Sequence, residues 1–179
     1  MDSDDETLKR HLGDTALRIK SIANVHELLY NTDSFSDISF DKYIKNLLDS
    51  IQQTIDDKIA SINIDIKDDL KVNINQAVPM GLLLNELITN SFKYAFDVKK
   101  EDNHINFSLS KKDGYYHGIY SDSGEGFNKE NFSKASSLGS LLIHTLLEQL
   151  DAEYTIETEN GFNVTFKFLP VELGAHSNI

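Results

Sequence analysis

The segment NELITNSFKYAF, residues 85–96, sets Glu86, Asn90 and Lys93 at steps of four and three, with Tyr94 one residue on. At helical spacing these side chains share one face, while Leu83, Leu84, Leu87, Ile88 and Phe92 turn toward a core. A carboxylate and a carboxamide one turn apart can hold a hydrated magnesium ion, which prefers oxygen and keeps waters while it bridges phosphates. A lysine one turn further can meet a phosphate. Taken alone, the pattern reads first as an ordinary solvated helix face.

Two further segments carry chemistry. In SDSGEGF, residues 121–127, Asp122 stands at the end of an apolar strand, and Gly124 and Gly126 let the backbone turn tightly and approach a ligand. An Asp so placed can accept a hydrogen bond from an exocyclic amine such as that of adenine. A plain hairpin turn is the alternative. In SSLGSLLIHTLLEQLDAEY, Leu138 and Gly139 open an amphipathic helix after a polar loop. Such a helix start offers free N–H groups and a positive dipole end to phosphate, or is simply a glycine ahead of a core helix. Gly161, in the closing hairpin, reads as structural.

Positioning these groups requires a particular run of elements. Leu8, Leu12, Thr15, Ala16, Ile19, Ile22, Ala23, His26, Leu29 and Tyr30 form the stripe of a first helix that ends near Asn31. A second helix is expected from about Ser39 to Ala60, capped by Ser39 or Asp41, with Tyr43, Ile44, Leu47, Leu48, Ile51 and Ile55 inward. The period then becomes two: Ile62, Ile64 and Ile66 alternate as a strand, and Val72 and Ile74 as a short second one. Pro79 is expected near the start of the third helix, where its missing N–H does no harm. Ile105, Phe107 and Leu109 make a strand, KKDG a turn and YYHGIYSD another strand. A fourth helix spans roughly Leu138 to Leu150, and a hairpin around Gly161 closes the chain. Paired strands interleaved with single helices predict an α+β fold. It is a two-layer sandwich with a mixed, mostly antiparallel sheet and helices on one face, rather than a doubly wound parallel sheet.

Composition narrows the function. The 179 residues carry a net charge of −12, which argues against nucleic acid as a partner. Yet residues 93–134 balance seven Lys against seven Asp and Glu, so an anionic ligand is less disfavoured there. The absence of cysteine excludes disulfides, thiolate zinc sites and cysteine nucleophiles. There is no run of 18 apolar residues for a membrane span and no signal-peptide core in MDSDDE. A cytoplasmic location is the expectation.

The order and spacing of these segments resemble a known family. NELITNSFKYAF, DSGEGF, SLGSLLIHTLLEQL and NGFNVTFKF look like the N, G1, G2 and G3 boxes of the GHKL ATP-binding fold. RIKSIANVHELLYNTDSFSDISFDKYIKNLL resembles the linker of HisKA2-type sensor histidine kinases. The sister group with a Trp-x-Glu signature is disfavoured by the absence of Trp. The resemblance implies that residues 1–35 are the second helix of the dimerisation and phosphoacceptor hairpin, 36–172 the catalytic domain and 173–179 a tail. It also implies binding of ATP with Mg2+. Asn90 would ligate the metal, and Glu86 would contact it or polarise its waters. Lys93 and Tyr94 would border the phosphates and the nucleotide. Asp122 would take the adenine amine, with Gly124 and Gly126 shaping the purine pocket. Residues from about 128 to 138 would form a lid that Gly139 closes.

The chain departs from the family in three places. The G2 box usually reads Gly-x-Gly, whereas here Ser137 and Ser140 flank Leu138-Gly139. The G3 box usually reads Gly-Thr, whereas here it is Gly161-Phe162. No phosphoacceptor motif surrounds any of His11, His26, His104, His117, His144 or His176. The resemblance therefore implies a kinase domain whose target histidine lies outside this chain, on an upstream helix or in a partner chain. Further implied are a response regulator receiver domain as the next acceptor and a homodimeric full-length protein. Two alternatives stand beside it: a degenerate nucleotide-binding domain used as a phosphotransfer scaffold or interaction module, and a serine kinase of the anti-sigma-factor type.

Overall fold

The computed structural model describes residues 38–52, 60–67, 70–97, 100–126 and 137–171, together with Leu12, Gly13, Thr15, Ala16, Ile19, Ala23 and Glu27. Those seven residues are helical and exposed; the rest of the stripe expected over residues 8–30 lies outside the described residues, as does Ile55.

The first elements form a short ribbon. Strand β1 (Ile38–Ser39) pairs antiparallel with β3 (Lys71–Val72), and helix α1 (Phe40–Gln52) begins where the Phe40 N–H meets the Leu70 carbonyl. Ser39 is thus a strand residue rather than a helix cap, and Ala60 lies outside the helix expected to reach it. Phe40, Tyr43, Ile44, Leu47 and Ile51 recur at helical steps and are all buried.

Strand β2 (Ser61–Ile66) follows, and helix α2 (Ile74–Asn90) starts five residues earlier than Pro79. Ile74 is therefore helical, not a strand residue. The reason is local: the Asn73 side-chain oxygen accepts the Asn75 N–H at 2.9 Å while its own carbonyl takes the N–H of Gln76 and Ala77. Pro79 lies inside the helix and leaves the Asn75 carbonyl without its usual donor. Gly81 on α2 lies directly under the Tyr43 hydroxyl, so the two helices cross where α2 has no side chain.

Strands β4 (His104–Lys112) and β5 (Tyr115–Asp122) form a hairpin whose turn residues Asp113 and Gly114 both have positive φ, 51° and 82°. Helix α3 (Leu138–Gln149) and the hairpin β6 (Glu153–Glu157) and β7 (Asn163–Phe168) complete the chain. The main sheet runs β2-β4-β5-β7-β6, with β2 parallel to β4 and every other pair antiparallel.

This is the mixed, mostly antiparallel α+β sandwich expected. Ile105, Phe107, Leu109, Tyr116, Tyr120, Val164, Phe166 and Phe168 share one buried face and form a single core with the helices. Each such side chain contributes roughly 1.5–3 kcal/mol on burial. The opposite face carries Asn106, Ile119 and Thr165, all exposed. Gly118, in register with both Leu109 and Phe166, leaves room for the Phe166 ring across the strand.

Gln76 ties the far end together. Its amide donates to the Leu169 carbonyl at 2.7 Å and accepts the Val171 N–H at 2.9 Å.

Candidate functional site

The last turn of α2 carries the polar pair. Glu86 is buried and Asn90 half-buried, one turn apart. At Ser91 the helix widens into a π turn, Ser91–Ala95, and Phe96 leaves it in an extended conformation. π turns of this kind are frequent at functional sites, where the inserted residue re-aims the side chains around it. The α-helical spacing of Glu86 and Asn90 thus does not continue to Lys93 and Tyr94, which are both exposed.

The widened turn brings Ser91 to the end of β5. The Ser91 hydroxyl, buried, donates to Asp122 Oδ2 at 2.5 Å and meets the Tyr120 hydroxyl at 2.7 Å. Asp122 Oδ1 accepts two backbone N–H groups, from Gly124 and Phe162, each at 3.0 Å. The Asp122 N–H in turn donates to the Phe162 carbonyl. The carboxylate is thus held by three segments: the α2 end, its own loop and the β6–β7 hairpin. Burial raises the Tyr120 phenol well above its ordinary pKa, the Ser91 hydrogen bond opposing this and the nearby Asp122 charge adding to it.

Glycine makes this packing possible at three positions. A Cβ at Gly124 would lie 2.8 Å from the Ala95 Cβ, on the π turn. Gly126, at φ +77°, lies against the Thr158 carbonyl, and Gly161, at φ +80°, against the carbonyl of Asp122. Gly161, expected to be merely structural, is therefore a wall of the site. The loop after the π turn is held as well. Asn103 Nδ2 donates to the Asp97 and Lys100 carbonyls, and Lys100 pairs with Glu125 at 2.9 Å.

The third predicted segment reaches the site through the packing of α3 on α2. Gly139 is buried and Leu138 exposed. The Ser137 side chain already accepts the Ser140 N–H at 3.1 Å, so one of the N–H groups expected to face phosphate is engaged by its own cap. The lid expected over 128–138 lies, through residue 136, outside the described residues.

The structure thus brings together Asp122, Gly124 and Gly126 and joins them to the Glu86–Asn90 helix through Ser91. The sequence reading did not single out Ser91 or Tyr120, and it named Phe162 only as a departure from the G3 box. Tyr120 carried a signal: a buried tyrosine needs a partner for its hydroxyl, and it lies two residues before Asp122 on the same strand face. The pairing of the Phe162 backbone with Asp122 has no sequence signal.

The residues present fit a nucleotide. The glycines let the loop and the hairpin pack closely around Asp122, and among the described residues its carboxylate keeps one acceptor site. Thr158, whose carbonyl lies against Gly126, has a buried Oγ1 with no hydrogen-bond partner among the described residues. Glu86 and Asn90 carry side-chain oxygens of the kind a hydrated magnesium ion prefers. Among the described residues no cluster of three His, Asp or Glu could hold a metal on its own. Among them, no helix is long and apolar enough to cross a membrane.

Residues 1–55 match the HisKA_2 family model, described as histidine kinase. The histidine kinase domain of the Erythrobacter litoralis EL346 blue-light activated histidine kinase has a similar structure: TM-score 0.72, 20% identity, covering 84% of this chain and 74% of that one. The catalytic domain of histidine kinase ThkA matches with TM-score 0.61 and 16% identity, over 76% of this chain and 96% of that one. Full-length ShkA, solved in complex with AMPPNP, matches with TM-score 0.59 and 14% identity over 94% of this chain, which spans 39% of ShkA. At these identities the likeness establishes the fold. No curated protein matches the chain. The chain is similar to the HisKA_2 histidine kinase family in its first 55 residues and has the fold of histidine kinase catalytic domains.

Proposed function

We propose that this chain is the ATP-binding catalytic part of a two-component sensor histidine kinase. Residues 1–35 would belong to the dimerisation and phosphoacceptor hairpin, 36–172 to the catalytic domain and 173–179 to a tail. The observation that carries this reading is the Asp122 carboxylate, clamped by Ser91, Gly124 and Phe162 with one acceptor site left over. That site takes the exocyclic amine of adenine, with Gly124 and Gly126 shaping the purine pocket and Gly161 packing the hairpin against Asp122. Leu138 and Gly139, at the start of α3, stand on the phosphate side with Lys93 and Tyr94.

Mg2+, when bound, supplies charge neutralisation at the phosphates. Asn90 is its protein ligand, and Glu86 contacts it or orders its waters. Transfer of the γ-phosphate to a histidine imidazole, with ADP leaving, requires mainly positioning and neutralisation of charge. The acceptor histidine lies outside this chain, in cis or in a partner of a cytoplasmic homodimer, and a response regulator aspartate receives the phosphoryl group next.

A scaffold role is the second reading. It is favoured by Phe162, whose buried side chain stands where the family has a hydroxyl. The two separate in one experiment: labelled ATP is mixed with this chain and a phosphoacceptor hairpin domain of a HisKA2 kinase. The kinase reading expects label on histidine, whereas nucleotide binding without label supports the scaffold. The nucleotide site itself is tested by Asp122→Asn, expected to abolish ATP binding by calorimetry; unchanged affinity refutes the adenine assignment.

A further inference from the structure

The buried hydroxyls behind Asp122 form a chain with a fixed proton order. A carboxylate at Asp122 can only accept. Ser91 has one proton, and of its two acceptors the Asp122 carboxylate is nearer, at 2.5 Å against 3.2 Å for the Leu87 carbonyl, and is charged. The Ser91 oxygen must then accept from Tyr120 across 2.7 Å. Tyr120 is completely buried and stays protonated, so it is available as that donor.

Acceptor capacity follows by counting. An ionised carboxylate has about four lone-pair sites. Two on Oδ1 are taken by the N–H groups of Gly124 and Phe162, and one on Oδ2 by Ser91, so among the described residues a single site on Oδ2 remains. Toward a ligand that site can act only as an acceptor.

The geometry points to Ser91 and Tyr120 as positioning residues that fix the polarity of Asp122, making the site select a purine with an exocyclic 6-amine over one with a 6-oxo group. This rests on the nucleotide reading and deepens it. Without Tyr120 the Ser91 oxygen loses its donor, and the hydroxyl, no longer held on the line between Tyr120 and Asp122, can swing to the Leu87 carbonyl. Asp122 Oδ2 then has a second vacant acceptor site, which a water can fill and from which that water donates to a 6-oxo group. Without Ser91 the same follows directly. Both residues act through Asp122, so removing them alters selectivity more than overall affinity for the phosphates.

The test compares binding of ATP and inosine triphosphate, which carries oxygen in place of the amine, by calorimetry on the full chain. Tyr120→Phe keeps the ring and its packing, and Ser91→Ala removes the second hydroxyl. The wild-type chain is expected to prefer ATP by at least about tenfold, the worth of one charge-assisted hydrogen bond. Both variants are expected to lose most of that preference. The gain in affinity from AMP to ADP, which reports the phosphates, is expected to stay as in the wild type, a separation that a general loss of packing does not produce. If the wild type does not prefer ATP, the adenine reading fails and this assignment with it. If the wild type prefers ATP and Tyr120→Phe keeps the full ratio, the assignment alone is overturned.

Discussion

Gly161, in the β6–β7 hairpin, lies so close to the Asp122 carbonyl that a Cβ there would overlap it, and its φ of +80° admits few other residues. The hairpin and the end of β5 are thereby locked face to face, with the Phe162 N–H delivered to the Asp122 carboxylate. Gly161→Ala combines backbone strain with a steric clash. A loss of about 2–4 kcal/mol is expected in urea unfolding, together with weakened ATP binding. Wild-type stability with intact binding would show that the hairpin is not the wall described.

Gly81 and Tyr43 form a second such pair, between α2 and α1. The Tyr43 hydroxyl is buried over Gly81 and has no hydrogen-bond partner among the described residues. Tyr43→Phe should stabilise the chain by about 1 kcal/mol, because an unsatisfied buried hydroxyl is removed. Gly81→Ala should cost about 1–3 kcal/mol through overpacking. Part of that cost should disappear in the double variant, since the hydroxyl is the nearest clashing atom. A double-mutant cycle with no coupling would contradict the contact.

The same phenol gives stability a pH dependence. Burial raises the pKa of Tyr43 and of Tyr120 above the ordinary 10.0. Above about pH 10 the unfolded chain releases these protons while the folded chain retains them, so stability is complete below that pH and falls as pH rises. Urea midpoints from about pH 8 to about pH 11 should show this decline, and Tyr43→Phe should make it shallower. A variant with an unchanged alkaline slope would remove Tyr43 as its cause.

Asn90 and Glu86 are expected to make nucleotide binding depend on magnesium. In Asn90→Ala, affinity for ATP should become nearly independent of added Mg2+, while AMP, which needs little metal, should bind as before. Calorimetry with and without a chelator checks this. Retained magnesium dependence would place the metal elsewhere.

Much of this architecture was legible in the sequence because it depends on neighbours along the chain. The alternation of Ile105, Phe107 and Leu109, the helical steps of Tyr43, Ile44, Leu47 and Ile51, and the Asp-Gly turn at 113–114 are each local patterns read by a local rule. The misplaced helix start belongs to the same class: the Asn73 cap outweighs the signal of Pro79. The π turn was not legible, since nothing in SFKYA distinguishes it from an α-helical continuation.

The sequence by itself determined the order of elements, the faces they bury and the presence of Glu86, Asn90 and Asp122 as the polar groups of the candidate site. Side-chain period, capping and turn chemistry act within a few residues and need no fold to operate. Only the tertiary structure decided which groups meet: Ser91 with Asp122, 31 residues apart, Phe162 with Asp122, 40 apart, and Gln76 with Leu169, 93 apart. Most buried hydroxyls and amides find a partner, but burial alone does not say which. The β4-β5-β7 strand order and the widened end of α2 make that choice, and with it the direction in which Asp122 faces.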